Sequence, residues 1–171
     1  MKLHPLYLLQ QEIKDKSLKK SALESVTTIA IALGRKRTRE QLIPFLGKVF
    51  VEENNDNKKI ILKRLTDLLH PIYIGKPHHS CVILELVMDI LCVYPAADIR
   101  AEAYECLEKV FAFMDVRKAQ NILVGALKKL ENEANNDRNI RQLIIRMIPY
   151  IYAGVDGDNE SELLQILSTY K

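Results

Sequence analysis

The chain of 171 residues is 48% hydrophobic and 27% charged, with a formal net charge of +3. This balance excludes general disorder, and charged residues interrupt every apolar stretch before it reaches the length that a membrane helix needs. We therefore expect a soluble globular protein that has no membrane partner.

Helical periodicity runs through the whole sequence. Apolar residues recur at spacings of three, four and seven, whereas β-branched alternation never persists long enough to indicate a strand. Glycine is scarce, with 6 residues in the chain, and tryptophan is absent. The sequence therefore predicts an all-α fold. In chain order, the predicted helices span 4–15, 17–34, 38–53, 56–73, 77–93, 96–113, 115–132, 137–153 and 158–170.

Residues that start, end or bend helices support these boundaries. Gly34 fits the end of the second predicted helix, because glycine readily adopts the left-handed conformation of a C-cap. Thr38, followed by Gln41, matches a capping box at the start of the third helix. Pro44 and Pro149 fall inside predicted helices, where each removes a backbone hydrogen bond, so we expect kinks at both.

Every second predicted helix follows one template, in which apolar residues stand three, seven and ten positions after a basic residue. The residues just before that basic residue are Leu18, Asn57, Ile99 and Ile140, at separations of 39, 42 and 41 residues. Such a period resembles the HEAT family of α-solenoids, in which helix pairs stack because a single pair cannot bury its apolar face alone.

The repeat sets the expected domain organisation. We predict an α-α superhelix, a HEAT-repeat solenoid of about four and a half antiparallel helix pairs, in a single domain over 1–171. The predicted repeats are 1–36, 37–75, 76–114 and 115–155, followed by a half repeat at 156–171. Because the half repeat has no second helix to cover its apolar side, self-association through this end is a further expectation.

The turns inside the repeats are predicted to project from one edge of the stack, where a row of polar groups on a rigid scaffold suits protein binding. The candidate protein-binding residues are Asp15, Lys16, Glu53, Asn54, Asn55, Asp56, Tyr94, Pro95, Asp98, Arg100, Asn136 and Asp137. Two alternatives stay open within this set. Tyr94 and Pro95 could pack beneath their turn, and Arg100 could reach an acidic group or a carbonyl of the neighbouring repeat.

One junction carries a closer resemblance. The segment TTIAIALGRKRTREQLIPFL at 27–46 resembles the first-to-second repeat junction of the scaffold, or A, subunit family of protein phosphatase 2A, which typically reads STIALALG and then ERTR-x-ELLPFL. The matching positions are Gly34, Arg37, Thr38, Arg39, Leu42, Pro44, Phe45 and Leu46. The resemblance implies a non-catalytic horseshoe. Its N-terminal repeats would hold a regulatory (B-type) subunit through their intra-repeat turns, and its C-terminal repeats would hold the catalytic subunit.

The sequence departs from that family in two respects. Family members have many more repeats, so this chain is either an N-terminal fragment or a shortened relative. A catalytic subunit is therefore an expected partner only if C-terminal repeats exist in a longer chain. The fourth intra-repeat turn usually carries an aromatic pair in the family, whereas 135–139 supplies only polar groups here.

A basic cluster is formed by Arg35, Lys36, Arg37 and Arg39. We interpret it as an inter-repeat turn, in which Arg35 and Lys36 lie beside the negative end of a helix. The alternative is a nuclear address or a nucleic-acid contact in a different HEAT adaptor, one associated with transport or nucleic acid. Residues 1–85 carry 15 basic and 9 acidic side chains, which falls short of a dedicated nucleic-acid binder, so nucleic acid is not an expected partner. We expect a cytoplasmic protein, with the nucleus as a second location.

No catalytic residue, cofactor or metal site is predicted. Cys81, Cys92 and Cys106 stand singly without CxxC spacing, and Cys106 has the core phase of an inert packed thiol. His78 and His79 near Cys81 lack a fourth metal ligand. The sequence contains neither a glycine-rich phosphate loop nor a carboxylate pair with catalytic spacing, so we do not expect an enzyme.

Overall fold

The computed structural model describes residues 4–93, 96–114, 124–125, 127–132, 138–152, 161, 164–165 and 168. Its elements are α1 (Pro5–Lys14), α2 (Lys19–Glu24), α3 (Val26–Leu33), α4 (Arg35–Arg37), a π-helical segment (Thr38–Leu42), α5 (Ile43–Glu52), α6 (Asn55–Asp67), α7 (Pro71–Ile74), a 3₁₀ segment (Pro77–Ser80), α8 (Cys81–Val93), α9 (Ala97–Phe113) and α10 (Arg138–Tyr152). None of these described residues forms a strand. The predicted all-α fold is confirmed.

The helices stack in two layers. The helices that follow intra-repeat turns, α2, α6 and α9, pack on one another in sequence, and α5 packs on α8 in the other layer. Each pair is closed by contacts between its own helices, α1 with α2, α5 with α6 and α8 with α9. This arrangement confirms the HEAT-repeat solenoid. The exact division of the chain into repeats stays a prediction.

One hydrophobic core runs along the stack, from Leu9 in α1 to Met147 in α10. The apolar positions of the sequence template face this core. In α9 these are Ala103, Leu107 and Val110, of which none is more than 3% exposed. Burying a side chain of the size of Leu107 or Val110 contributes roughly 1.5 to 3 kcal/mol, so the stacked repeats derive most of their cohesion from this shared interior.

The first inter-repeat junction ends one helix as predicted but does not start the next with a capping box. Gly34 has φ +82° and its N–H donates to the Ala30 carbonyl at 3.0 Å, which confirms it as a C-cap. The Thr38 side chain is fully buried, and its hydroxyl donates to the same Ala30 carbonyl at 3.1 Å. The capping box of Thr38 and Gln41 is therefore wrong. α4 precedes Thr38, so this residue lies inside helical backbone and not at a helix start. A residue in this position has no free N–H groups of a first helical turn to cap.

Pro44 interrupts the regular hydrogen bonding of its helix, as expected. Proline has no N–H to donate to the carbonyl four residues earlier. The interruption takes the form of the π-helical segment, in which the N–H of Ile43 donates to the Thr38 carbonyl five residues before it. Single π-helical turns of this kind are a known cause of bends in helices.

Two other predicted helices differ from the structure in length. The predicted helix 17–34 is divided at Ser25, whose hydroxyl donates to the Ala22 carbonyl at 2.8 Å. The regular part of the predicted helix 56–73 is α6, which ends at Asp67. The helix cannot continue to residue 73 because His70 precedes Pro71 and adopts the extended backbone that proline imposes on the residue before it.

The described residues cover parts of the three predicted C-terminal helices. Residues 124–125 and 127–132 are helical within the predicted helix 115–132, and Pro149 lies inside α10 as expected. Most of the predicted helix 158–170, and with it the half repeat proposed for self-association, lies outside the described residues. Within the described part of the chain, no helix combines the length and hydropathy required to cross a bilayer.

Candidate protein-binding ridge

The intra-repeat turns lie along one edge of the stack, which we call the ridge and define by the described residues 15–18, 53–56 and 96–98. Ion pairs show that successive turns are neighbours. The Lys19 Nζ atom lies 2.7 Å from Glu53 Oε1, and the Lys59 Nζ atom lies 2.8 Å from Asp98 Oδ2. The predicted alignment of turns one, two and three on a single edge therefore has direct support in these contacts.

The first turn is held by its own aspartate. The Asp15 carboxylate accepts hydrogen bonds from the Ser17 hydroxyl at 2.6 Å and from the Ser17 backbone N–H at 2.8 Å. These bonds favour the ionised carboxylate, so they lower the pKa of Asp15. Lys16 beside it is exposed, and its side chain makes no hydrogen bond or ion pair with another described residue. Asp15 thus shapes the turn, whereas Lys16 is available to a partner.

The second turn contains one residue that caps a helix and one that joins two repeats. The Asn54 side chain accepts a hydrogen bond from the Asn57 backbone N–H at 2.9 Å, and so it caps the start of α6. The Glu53 side chain is only 7% exposed, and besides its ion pair with Lys19 it accepts a hydrogen bond from the Asn57 amide at 2.8 Å. Both residues therefore have structural partners.

The environment of Glu53 favours its charged form. Burial by itself works to raise the pKa of this carboxyl group, but the hydrogen bonds from Lys19 and Asn57 and the charges of Lys19 and Lys58 outweigh it. The net effect lowers the pKa of Glu53. The ionised carboxylate of Glu53 therefore links the first two repeats through its ion pair with Lys19.

The remaining residues of the second turn face solvent. Asn55 and Asp56 form the first turn of α6 and are exposed. Their side chains have no hydrogen-bond or ion-pair partner among the described residues, although the charge of Asp56 helps to raise the pKa of Lys59. Together with Lys16, these two residues give the ridge its available polar groups.

The third turn is represented by its C-terminal side, because Tyr94 and Pro95 lie outside the described residues. The Asp98 carboxylate receives Lys59 from the preceding repeat and also accepts a hydrogen bond from the Ile99 N–H at 2.9 Å. The bond from Lys59 is the largest cause of the lowered pKa of Asp98. Arg100 is only 9% exposed, so little of its side chain can contact a partner, which favours the structural alternative for this residue.

The fourth intra-repeat turn contains two of the predicted binding residues. Asn136 and Asp137 lie outside the described residues, and α10 begins at Arg138. Their assignment to the ridge therefore stays a prediction.

The structure adds cross-repeat pairs that the sequence reasoning did not identify. Besides the two lysines already described, Lys63 Nζ lies 3.8 Å from Glu102 Oε1, and Lys129 Nζ lies 2.6 Å from Asp89 Oδ1. Three of the four pairs join residues 39 or 40 positions apart, which is one repeat period. A search for opposite charges separated by one period would have found these three, because equivalent positions of adjacent repeats lie side by side.

The histidines and cysteines do not form a reactive cluster in the described part of the chain. Within those residues, no group of three or more histidine, cysteine, aspartate or glutamate side chains is placed to hold a metal ion. Cys106 is fully buried, and burial raises the pKa of its thiol to about 11. A thiol that stays protonated at neutral pH is a poor nucleophile.

Several known proteins are similar in sequence to this chain. The regulatory A subunit of protein phosphatase PP2A from Schizosaccharomyces pombe is 31% identical over 132 residues, which are 75% of this chain and 21% of that relative. The Saccharomyces cerevisiae protein of the same name is 34% identical over 110 residues, covering 63% and 17% of the two chains. The protein phosphatase 2A scaffold subunit of Dictyostelium discoideum is 29% identical over 109 residues, covering 63% and 18%. The chain spans about a fifth of the length of these relatives. No family model matches it.

Proposed function

Because the chain is a HEAT-repeat protein like the A subunits of protein phosphatase 2A, we propose that it serves as a non-catalytic scaffold in a serine/threonine phosphatase complex. The observation that carries this proposal is its identity of about 30% to relatives named as regulatory or scaffold subunits, over up to 75% of the chain. The stacked helices agree with such a role, because a solenoid offers long edges rather than an enclosed reaction site.

We propose that the ridge holds a regulatory, B-type subunit. The groups that support this are Lys16, Asn55 and Asp56, which are exposed and carry one positive, one neutral and one negative polar group. They project from turns whose positions are fixed by the cross-repeat pairs Lys19 to Glu53 and Lys59 to Asp98. A partner would therefore meet a pre-organised surface, which reduces the entropic cost of binding.

The test measures binding of a purified B-type regulatory subunit to the full chain by isothermal titration calorimetry. A triple variant with Lys16, Asn55 and Asp56 changed to alanine removes the available polar groups. It leaves unchanged the ridge residues that have structural partners, which are Asp15, Glu53, Asn54 and Asp98. We expect its affinity to fall by about tenfold, since a few interface residues usually dominate binding.

A matched control uses Arg37, Glu40 and Gln41, which are exposed at the opposite edge and carry the same set of charges. Changing these three residues to alanine alters the net charge by the same amount and should leave the affinity unchanged. Equal binding by the ridge variant and the unchanged chain would refute the ridge assignment. No binding of any B-type subunit by a folded chain would refute the choice of partner.

The other partner and location expectations are proposals of the same kind. We propose that a catalytic subunit binds only where a longer chain supplies C-terminal repeats, and that the protein acts in the cytoplasm and also enters the nucleus. Co-purification with the catalytic subunit, compared between this chain and one extended by further repeats, tests the first. Imaging of a fluorescent fusion tests the second, and exclusion from the cytoplasm would contradict it.

A further inference from the structure

A groove of about 540 Å³ lies at the edge opposite the ridge, between the first and second inter-repeat turns. It is formed where α7 packs against α3 and α4. We call it the basic groove. Its lining residues are Arg35, Lys36, Arg39, Pro71, Gly75, Lys76, Pro77 and His79.

The floor of the basic groove is held by one hydrogen bond across the two turns and by one contact within the second turn. The Arg39 guanidinium donates from Nη1 to the Ile74 carbonyl at 2.7 Å, and the His79 Nδ1 atom lies 3.1 Å from the same oxygen. Gly75 has φ +90°, and a Cβ atom there would lie 3.1 Å from His79 Nδ1 and 3.3 Å from Arg39 Nη1. The two turns therefore meet closely at a backbone position that suits glycine.

Three exposed cations lie around the groove. Arg35, Lys36 and Lys76 are exposed, and none of them forms an ion pair with a carboxylate within the ranges that the structure describes. Two lysines beside the ridge, Lys19 and Lys59, are paired with carboxylates, whereas Lys16 on the ridge has no ion-pair partner among the described residues. The groove is thus bordered by three exposed cations whose charge no described carboxylate compensates.

The half-buried His79 lies beside these cations. Partial burial is the largest cause that lowers the pKa of His79, and the charges of Arg39, His78 and Lys76 add to it. Of these causes, the positive charges of Arg39 and Lys76 are the ones that would also attract a negative group.

We propose that the basic groove binds an extended acidic peptide segment of a partner protein, through carboxylates placed against Arg35, Lys36 and Lys76. Charge complementarity selects this occupant. The groove floor of proline and glycine offers apolar contact to a peptide backbone, whereas the lining includes no tyrosine, phenylalanine or tryptophan on which nucleic-acid bases could stack. This surface is separate from the ridge, so it goes beyond the proposed scaffold function and can succeed or fail independently of it.

The test uses a fluorescein-labelled hexapeptide of alternating glutamate and aspartate, and follows its fluorescence anisotropy on titration with the full chain at low salt. The variant carries Arg35→Ala and Lys36→Ala. Arg39 is left unchanged because it holds the Ile74 carbonyl. We expect the double variant to bind the peptide about tenfold more weakly, because it lacks two charge contacts. Binding by the unchanged chain should weaken with added salt.

A control variant carries Lys20→Ala and Lys48→Ala, which removes two exposed cations that do not line the groove. It should bind the acidic peptide as the unchanged chain does, and thermal unfolding should show that both variants are folded. Equal losses in the two variants would mean that net charge alone attracts the peptide, and the proposal would fall. Absence of binding, or tighter binding of a uridine decamer that is lost in the groove variant, would also overturn it, the latter in favour of nucleic acid.

Discussion

Glu53 shows how one side chain can resemble a binding residue in the sequence and serve as a structural residue in the fold. It lies in a polar turn, which is where partner contacts are expected. In the structure its carboxylate faces Lys19 of the preceding repeat and the Asn57 amide of its own repeat. Its contribution to the protein is therefore expected in stability before it is expected in binding.

The charge state of Glu53 predicts a pH dependence of stability. Because the folded state lowers the pKa of Glu53, the carboxylate stabilises the fold above its ordinary pKa of about 4.3, and that contribution is lost as pH falls through the lowered value. We expect Glu53→Gln to reduce the free energy of unfolding by about 1 kcal/mol at pH 7 and by much less near pH 3. Urea unfolding at the two pH values measures this difference.

The neighbouring Glu52 provides the control, since it is exposed and has no ion-pair partner among the described residues. Glu52→Gln should change the unfolding free energy by less than about 0.5 kcal/mol at pH 7. A loss for Glu53→Gln that was the same at both pH values would show that its carboxylate charge is not the stabilising feature.

Single residues were harder to predict than helices, for a physical reason. Thr38 matches a capping sequence, but its hydroxyl bonds the Ala30 carbonyl because a helical turn already precedes it. Local spacing reveals which groups are able to cap, whereas the backbone conformation decides which groups need a cap. Gly34, by contrast, was predicted correctly, because its positive φ excludes most other residues.

At the scale of elements, the start of α6 shows a cap that the structure does contain. The Asn54 side chain accepts the hydrogen bond of the Asn57 N–H, one of the four backbone donors that a helix start leaves without intrahelical partners. The next residue, Asn55, is exposed and has no such bond. Two adjacent asparagines of the same predicted binding turn therefore differ in role.

We predict that Asn54→Ala lowers the free energy of unfolding by about 1 kcal/mol, because alanine cannot cap α6. Asn55→Ala, one position later, should be neutral or slightly stabilising, since alanine is the better helix former. Chemical denaturation of the two variants tests the difference. Equal destabilisation by both would contradict the capping role of Asn54.

The presence of each helix could be predicted from the sequence, because the spacing of apolar residues shows which face of the helix is buried. α9 at 97–113 differs from its predicted span, 96–113, by one residue. The break at Ser25 and the early end of α6 were missed, since they depend on a side-chain hydrogen bond and on the conformation imposed by Pro71. These effects act over one to four residues and leave the apolar period unchanged.

At the scale of the whole molecule, the stack is an array in which each repeat packs within itself and against its neighbours. α1 packs mainly on α2 and α3, α2 on α6, and α6 on α9. The fully buried Leu9 belongs to the first of these units, whereas Leu8 on the same helix is 39% exposed. In such an array, a mutation that destabilises one repeat is expected to promote local unfolding mainly in that repeat and its neighbour.

We therefore predict that Leu9→Ala, which should cost about 2 to 5 kcal/mol, accelerates amide hydrogen exchange in α1, α2 and α3 more than in α8 and α9. Leu8→Ala should have a small effect everywhere because Leu8 is largely outside the core. Hydrogen-exchange mass spectrometry of the two variants measures the gradient. Equal acceleration in every described helix would indicate a single cooperative unit.

The sequence period was sufficient to predict the stacked architecture and the edge on which the turns lie. The period was insufficient to separate ridge residues that are available to a partner from those that form ion pairs within the protein. Glu53 and Asp98 pair with Lys19 and Lys59 of the preceding repeat, and such pairs depend on the angle between adjacent repeats. Asp98 illustrates the difficulty, since its pairing with Lys59 becomes evident only when two repeats are placed side by side.

The tie between Lys19 and Glu53 also has a mechanical consequence. A cation on a bound partner that took Glu53 away from Lys19 would remove one of the restraints between the first two repeats. Thermodynamic linkage makes this effect reciprocal, so a force that pulled these repeats apart would expose Glu53 and strengthen the attachment of that partner. Tension along the stack would then increase the affinity of this edge of the solenoid for that partner.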